Sequence, residues 1–314
     1  MGIPVVDLAE FTSGNAPQKA AFVSALGKAY EEVGFVAVKN HGISDATVNG
    51  LYSNTRAFFS LPQDIKRKYE IAGLAGQRGY TSFGKEHAKG STAPDLKEFF
   101  QFGQSVVDND PIKAEYPDNV QVAELQDFNR LFEQAYRSFE TSGTNLLQAI
   151  ALYLGLGEHY FDAHIHNGNS ILRAIHYPPI REEPKSAIRA EQHEDINLIT
   201  LLVGASADGL EILSKQNEWV PVTSLPDQIV VNVGDMLQRL TNNKLKSTTH
   251  RVVNPPRELW GSPRFSIPFF LHPKSNMSLA CLPGCIDAKH PKAYPDATAG
   301  EYLDERLREI GLKK

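Results

Sequence analysis

Cysteine is nearly missing from this chain of 314 residues. Cys281 and Cys285, four apart in CLPGC, are the whole supply. A secreted scaffold built on disulfides is thereby excluded. Two free thiols in a reducing cytosol is the favoured reading, ahead of a single disulfide or half of a zinc site. No run of eighteen apolar residues exists, so no transmembrane helix is expected. The opening MGIPVVDLAEF has no basic segment ahead of a long apolar one and is not expected to be a secretory signal. Gly2 invites N-myristoylation, but Val6 stands where that motif has Ser or Thr. Positive charge is not in surplus either. With 32 Lys and Arg against 37 Asp and Glu, the net charge of −5 gives no electrostatic reason to expect nucleic acid. KLKSTTHR (244–251) is the one modest basic cluster. Internal repeats and low-complexity tracts are also missing. A cytoplasmic globular protein, without nucleic acid or membrane as partner, is the expectation.

Two regimes of hydrophobic periodicity are present. Up to about residue 165 helical spacing dominates: Phe22, Leu26, Ala29, Tyr30 and Val33 repeat at three and four, as do Val48, Leu51, Thr55, Phe58 and Phe59 before Pro62. A third helix is predicted over about 121–155, and GFVAVKNHGI reads as a strand and turn between the first two. From about 170 the pattern changes to short strands separated by PP, ADG, QNE, TNN and NPPRELWGSP. The predicted strands are SILRAIHY, NLITLLVG, LEILS, WVPV, QIVVNVGDMLQRL, STTHRVV and RFSIPFFLH. Such spacing favours an antiparallel sandwich or barrel. A last helix opens on a capping box from Thr298 to Glu301 and buries Leu303, Leu307 and Ile310. The predicted fold is α+β with a mainly β core: helical region 1–165, β core 166–290 and C-terminal helix 291–314, in one unit.

The stretch EQHEDINLITLLVG places two acids and a histidine at the head of an apolar strand, where burial disfavours them. In an extended strand His193 and Asp195 share a face. They offer one imidazole nitrogen and one carboxylate oxygen to a common point, and His250 in STTHRVV is the candidate third ligand. Two histidines and one carboxylate on one face of a metal mark non-haem Fe(II) oxygenases. His-x-Asp alone is weak, however, and a hydrogen-bonded pair at a strand mouth is the competing reading. A strand histidine bonded to a carbonyl competes likewise for His250. Fourteen residues on, Arg264 and Ser266 again share a strand face, a guanidinium and hydroxyl suited to a carboxylate. An ion pair between Arg264 and Asp235 is the alternative there. Tyr177 stands just before a Pro-Pro break, where its hydroxyl can assist.

These residues sit within stretches that resemble the isopenicillin N synthase-like branch of the Fe(II)/2-oxoglutarate-dependent dioxygenases. They are IPVVDLAEF, EEVGFVAVKNHGI, AFFSLPQDIKRKY, RGYTSFG, DLKEFFQFG, LRAIHYPP, QHEDINLITLL, VVNVGDMLQRLTNNKLKSTTHRVVNPP, RFSIPFFLHP and TAGEYLDERLREIG. The resemblance covers nearly the whole chain. It implies a double-stranded β-helix (jelly-roll) core with the N-terminal helical region packed against it. It further implies Fe(II) on His193, Asp195 and His250, and Arg264 and Ser266, with Tyr177, on the far carboxylate of 2-oxoglutarate. Oxidative decarboxylation by O2 would yield succinate and CO2 and, by default, a hydroxylated small metabolite. One departure stands out: plant members carry Asn-x-Tyr where this chain has Ile175-His176-Tyr177.

Candidate substrate-facing residues are Tyr80 and Phe83 in RGYTSFG, Arg173 on the strand leading to Tyr177, and Phe269 beyond Ser266; packing or a surface pair is the competing role for each. Three other functions share the motif set. An iron oxidase of the same fold uses no 2-oxoglutarate, as in oxidative cyclases or ascorbate-dependent enzymes. A zinc hydrolase uses the same ligands with a metal-bound water, against which the Arg264/Ser266 pair argues. A non-catalytic ligand-binding member would show substituted ligands, whereas all three positions are filled here.

Overall fold

The N-terminal elements form where apolar spacing and capping residues coincide. In the computed structural model, which describes residues 2–74, 76–85, 95–184, 187–204, 208–223 and 225–309, strand β1 (Val5–Asp7) leads into helix α1 (Leu8–Thr12). Helix α2 (Ala16–Glu32) opens on a capping box in which Asn15 and Gln18 satisfy each other's backbone amides. Strand β2 (Phe35–Lys39) follows, then helix α3 (Asp45–Phe59), capped by Ser44, and the short α4 (Gln63–Lys68). Two strands come next, β3 (Gly79–Thr81) and β4 (Glu98–Gly103). Helix α5 (Phe128–Tyr153) buries Phe128, Phe132, Ala135, Tyr136 and Phe139 along one stripe at helical spacing. It begins seven residues later than the predicted 121, because Asn129 holds the backbone of Val120 and Val122 in a loop.

The second half comprises α6 (Asp162–Ile165), β5 (Ile171–Tyr177), β6 (Ala190–His193), β7 (Ile199–Val203), β8 (Leu210–Leu213) and β9 (Trp219–Pro221). It closes with β10 (Gln228–Val233), α7 (Asp235–Leu240), β11 (His250–Val252), β12 (Arg264–Leu271) and α8 (Ala299–Glu309). Two predictions need correction. QIVVNVGDMLQRL is not one strand: it turns at Gly234, and Met236, Leu237 and Leu240 are buried from a helix. DLKEFFQFG, with no strand assigned in the sequence, supplies fully buried β4. The capping box of Thr298 with Glu301 is present, and α8 buries Leu307 with Leu303 packed alongside. Ile310 lies outside the described residues.

Among the described residues one sheet runs β1-β2-β10-β7-β12-β5-β4-β3 and a second runs β6-β11-β8-β9. All these strand pairings are antiparallel except β1 with β2. One continuous apolar cluster joins α2, α3 and α5 to one face of the larger sheet. Its other face opposes the smaller sheet through two lesser clusters. One is Phe35 and Val230 with Ile212, the other Phe99, Ile175 and Tyr177 with Ala190 and Val252. This is the expected jelly roll, with a cavity between its sheets. No described helix is long and apolar enough to cross a membrane.

Candidate metal and cosubstrate site

His193 closes β6 and His250 opens β11, and the two are direct partners in the antiparallel ladder. Their rings stand 4.4 Å apart, with Phe35 edge-on to His250 at 5.5 Å. Asp195 is not on the strand, as the sequence suggested; it lies in the loop between β6 and β7. The loop nonetheless turns its carboxylate back, so that Oδ1 lies 4.0 Å from His193 Nε2 and 3.8 Å from His250 Nε2. One donor atom from each residue falls within 4.8 Å of the others.

Surrounding groups fix which atoms point inward. Nδ1 of His193 lies 2.6 Å from the Glu191 carbonyl and Nδ1 of His250 lies 3.1 Å from that of Thr248. A carbonyl only accepts, so each Nδ1 carries the proton and each Nε2 presents its lone pair to the common centre. Asp195 is oriented the same way. Its Oδ2 accepts from Thr200 Oγ1 at 2.5 Å and from Asn232 Nδ2 at 2.8 Å, which leaves Oδ1 for the centre. Burial alone would raise the pKa of Asp195, but the imidazoles of His250 and His193 when protonated, and the hydrogen bonds from Asn232 and Thr200, hold it below its ordinary value. Burial and the adjacent His250 lower that of His193. The donor set is two neutral nitrogens and one carboxylate oxygen, all on one side, which fits a divalent iron with open positions.

The loop is pinned from behind by the start of α7. Asp235 N donates to the Asp195 carbonyl at 2.7 Å, and Met236 N to that of Asn197 at 3.1 Å. Gly234 is required by this approach: a Cβ there would sit 2.3 Å from the Asn197 carbonyl oxygen.

From the ligands a cavity of about 630 Å³, its open mouth included, runs between the sheets. Strand alternation decides its walls. On β12 Arg264, Ser266, Pro268 and Phe270 face it; on β5 Arg173, Ile175 and Tyr177 do. Arg264 and Ser266 are buried at one end beside Tyr177, whose ring centroid lies 5.1 Å from the guanidinium carbon. A second guanidinium, Arg189, donates to the Ser262 carbonyl at 3.2 Å there; burial and the positive charge of Arg264 lower its pKa to about 10. Two buried guanidiniums make that end suited to a carboxylate. Asp235 is not the partner of Arg264; it accepts from Tyr302. Ile175, opposite Ser266 in the ladder, presents an apolar surface where plant members carry Asn.

Three of the candidate substrate residues are not brought to this cavity. Phe269 has the opposite parity to Ser266 and packs against Tyr136 and Phe139 of α5 at 5.0 and 5.5 Å. Tyr80 is buried behind the sheet, its hydroxyl bonded to Glu98, which also pairs with Lys66 and His176. Phe83 is half-exposed in a turn and does not line the cavity. Arg173 does line it. The residues overlooked in the sequence are Lys97, Thr200 and Asn232. Asn232 had a signal, being the lone polar residue among the apolar ones of IVVNV; Lys97 is found only once β4 is recognised and its alternation followed.

Comparison with known proteins bears on the whole chain. Residues 3–124 match the family model described as non-haem dioxygenase in morphine synthesis N-terminal, and residues 168–273 match that of the 2OG-Fe(II) oxygenase superfamily. A proline hydroxylase, buaE, from Petromyces alliaceus is 32% identical over 98% of this chain and 99% of its own. A crystal structure of a protein assigned to the 2OG-Fe(II) oxygenase family of Caulobacter crescentus superposes with a TM-score of 0.88 at 40% identity, covering 98% of this chain and 99% of that one. A full-length Neurospora crassa protein in complex with alpha-KG superposes with a TM-score of 0.87 at 29% identity, covering 98% and 95%. The same Neurospora protein is also known with both alpha-KG and thymine bound.

Proposed function

We propose, from the premise that this chain belongs to the 2OG-Fe(II) oxygenase superfamily and is an Fe(II)- and 2-oxoglutarate-dependent oxygenase of a small organic molecule, that His193, Asp195 and His250 hold its iron and that Arg264, Ser266 and Tyr177 hold its cosubstrate. The observation that carries the assignment is the inward convergence of His193 Nε2, Asp195 Oδ1 and His250 Nε2, each with its other heteroatom engaged by the surrounding protein. Iron with 2-oxoglutarate supplies the oxidising power, one atom of O2 ending in succinate and the other in the hydroxylated product.

The chain's own groups position and exclude. Thr200 and Asn232 keep one carboxylate oxygen of Asp195 away from the metal, so Asp195 binds through the other. Arg264 and Ser266 fix one end of the cosubstrate, and the apolar Ile175, Leu202, Val230 and Val252 keep water from its middle. The substrate then enters from the metal end, where Arg173 lines the wall. Hydroxylation is the default outcome, consistent with a relative named as a proline hydroxylase and with thymine bound to the Neurospora protein. The motifs favour the isopenicillin N synthase-like branch. The helical region 1–165, jelly roll 166–290 and C-terminal helix 291–314 act as one unit, supported by the apolar cluster they share. A cytoplasmic setting is favoured by the free thiols Cys281 and Cys285.

The experiment is spectroscopic. Anaerobic Fe(II) plus 2-oxoglutarate should give a weak visible charge-transfer band, lost in the double variant His193→Ala, Asp195→Ala. Persistence of the band in that variant would overturn the ligand assignment. With O2 and substrate, one succinate should form per O2 consumed.

A further inference from the structure

The space between the two sheets opens at the end away from the metal ligands as well. There a cleft is lined by Asn49 and Arg56 of α3, by Asp208 after β7 and by Leu225 after β9. It shares Leu202, Leu210, Val230 and Arg264 with the metal cavity. Leu202 and Val230 are ladder partners, and Leu202 has the parity of Thr200 on β7, so both face the smaller sheet. The four shared side chains thus form a waist between two openings of one inter-sheet space. Leu202 and Leu210 are only half-buried at that waist.

Strand register places the second opening. Thr200, bonded to Asp195, lies near the start of β7, and Gly204, which lines the rear cleft, follows its end. Four positions along a strand span roughly 13 Å. The last pair of β12 with β7 at that end is Ile267 with Val203, and Arg264 lies three positions beyond it, on the side of the rear cleft. Helix α3 forms the outer lip. Tyr52 donates its hydroxyl to the Gly204 carbonyl at 2.6 Å, which ties the helix to the end of β7. One turn on, the exposed Arg56 sets its guanidinium carbon 5.8 Å from the Tyr52 ring centroid and 5.6 Å from that of Phe265. Arg56 and the exposed Asp208 are the charged residues of the described lip.

We infer that this rear opening is the passage by which the dicarboxylate cosubstrate enters and the dicarboxylate product, succinate, leaves, with Asn49, Arg56 and Leu225 at its lip. The inference rests on the proposed placement of the far carboxylate of 2-oxoglutarate at Arg264. A dicarboxylate held there has its tail at the waist, nearer the rear lip than the metal end is. Succinate, which lacks the keto oxygen, keeps less hold on the metal than 2-oxoglutarate does and can withdraw tail first. The metal end is then left to the molecule oxidised, and exchange of succinate for 2-oxoglutarate does not wait for that molecule to depart. At the lip the charge of Arg56 attracts an incoming dianion and that of Asp208 repels it, so the two residues set the rate of entry in opposite directions.

The test uses the full chain loaded with Fe(II) under anaerobic conditions, mixed rapidly with 2-oxoglutarate and read by growth of the visible charge-transfer band. The dependence of the observed rate on concentration gives the association and dissociation rate constants separately, and the final amplitude gives Kd. The double variant Asn49→Trp, Leu225→Trp changes two exposed residues and narrows the lip without touching the proposed binding groups. Entry and exit should slow together, each at least about threefold, with Kd unchanged, because an obstacle on a path raises the barrier alike in both directions. Arg56→Gln should slow association about 2- to 5-fold at low ionic strength, the Coulomb attraction of one cation for a dianion about 10 Å away in water, and Asp208→Asn should speed it by a similar factor. Both effects should vanish in about 1 M salt. Circular dichroism checks the folding of each variant. The inference fails if both rate constants are unchanged in the double variant, or if dissociation alone changes, which would make the lip a binding site and not a passage. It fails also if Arg56→Gln and Asp208→Asn leave association unaltered at low salt, and that pair decides the matter even where the double variant does not fold. Absence of any band with Fe(II) and 2-oxoglutarate would instead overturn the cosubstrate assignment itself, and the passage with it.

Discussion

Thr200 donates its hydroxyl to Oδ2 of Asp195 at 2.5 Å, on the side of the carboxylate away from the two histidines. Thr200 itself accepts from Asn197 Nδ2 at 3.0 Å, and Asn232 supplies the second bond to the same carboxylate oxygen. A carboxylate held at one oxygen by two donors has lost its freedom to swing, and its other oxygen is committed to the centre.

Removing that restraint should weaken the metal without unmaking the site. Thr200→Val keeps the shape and deletes the donor; Asn232→Leu deletes the other. Each should lower Fe(II) affinity about 10- to 100-fold, the range usual for outer partners of a ligand. Anaerobic Fe(II) or Co(II) titration measures it, and unchanged affinity in both variants would refute the role.

Gly234 gives a second prediction, about the backbone. A methyl group there would lie 2.3 Å from the Asn197 carbonyl oxygen and 2.4 Å from its Oδ1, so the 194–198 loop must move away from α7. Gly234→Ala should cost about 1–3 kcal/mol of stability, as forced overpacking does, and weaken Fe(II) binding through the displaced Asp195. Thermal denaturation and metal titration together check it; loss of stability with unaltered affinity would show the loop to be independent of α7.

The same loop shows what the sequence could and could not convey. Residue types and their order were legible: His193, Asp195 and His250, then Arg264 and Ser266, stand close in space as their motifs implied. The geometric reason for His193 and Asp195 was not, because a strand ends at His193 and a loop, not a shared strand face, returns the carboxylate. Phe269 failed for a simpler cause. Three positions from Ser266 on a strand is the opposite face, and the alternation that turns Arg264 and Ser266 to the cavity sends Phe269 into the core. Tyr80 lies in a Gly-containing loop stretch by composition, yet its ring completes an aromatic cluster with Phe58, and no local pattern encodes that distant neighbour.

Alternation on β12 should therefore separate binding from stability. Ser266→Ala should raise the KM for 2-oxoglutarate about 10- to 100-fold, since a hydrogen bond to a charged group is worth about 1.5–3 kcal/mol. Phe269→Ala should instead cost about 3–5 kcal/mol of stability through the cavity it leaves against α5, with the KM of the folded fraction unaltered. Steady-state kinetics and chemical denaturation of the two variants decide it. A raised KM in Phe269→Ala at unchanged stability would contradict the assigned faces.

His272 provides a pH dependence that lies outside the proposed ligand set. It follows β12 on the cavity-facing parity, and its Nδ1 has no hydrogen-bond partner among the described residues. Ser170 holds its backbone at both ends, donating to the carbonyl at 3.3 Å and accepting from the amide at 3.0 Å. Burial pushes the imidazole down to about 4 from an ordinary 6.5; the charge of Asp195 opposes the shift and that of Arg173 adds to it. The unfolded chain thus binds a proton near 6.5 that the folded chain refuses until about 4. Stability from this group is complete above that ordinary value and falls away as pH drops through the interval. The difference of about 2.5 in pKa corresponds to an order of 3 kcal/mol. His272→Gln removes the titration, so its stability relative to the unaltered protein should improve by that order between neutral pH and pH about 4, measured by urea denaturation across the range. Parallel pH profiles of the two proteins would mean that the imidazole titrates normally in the folded state.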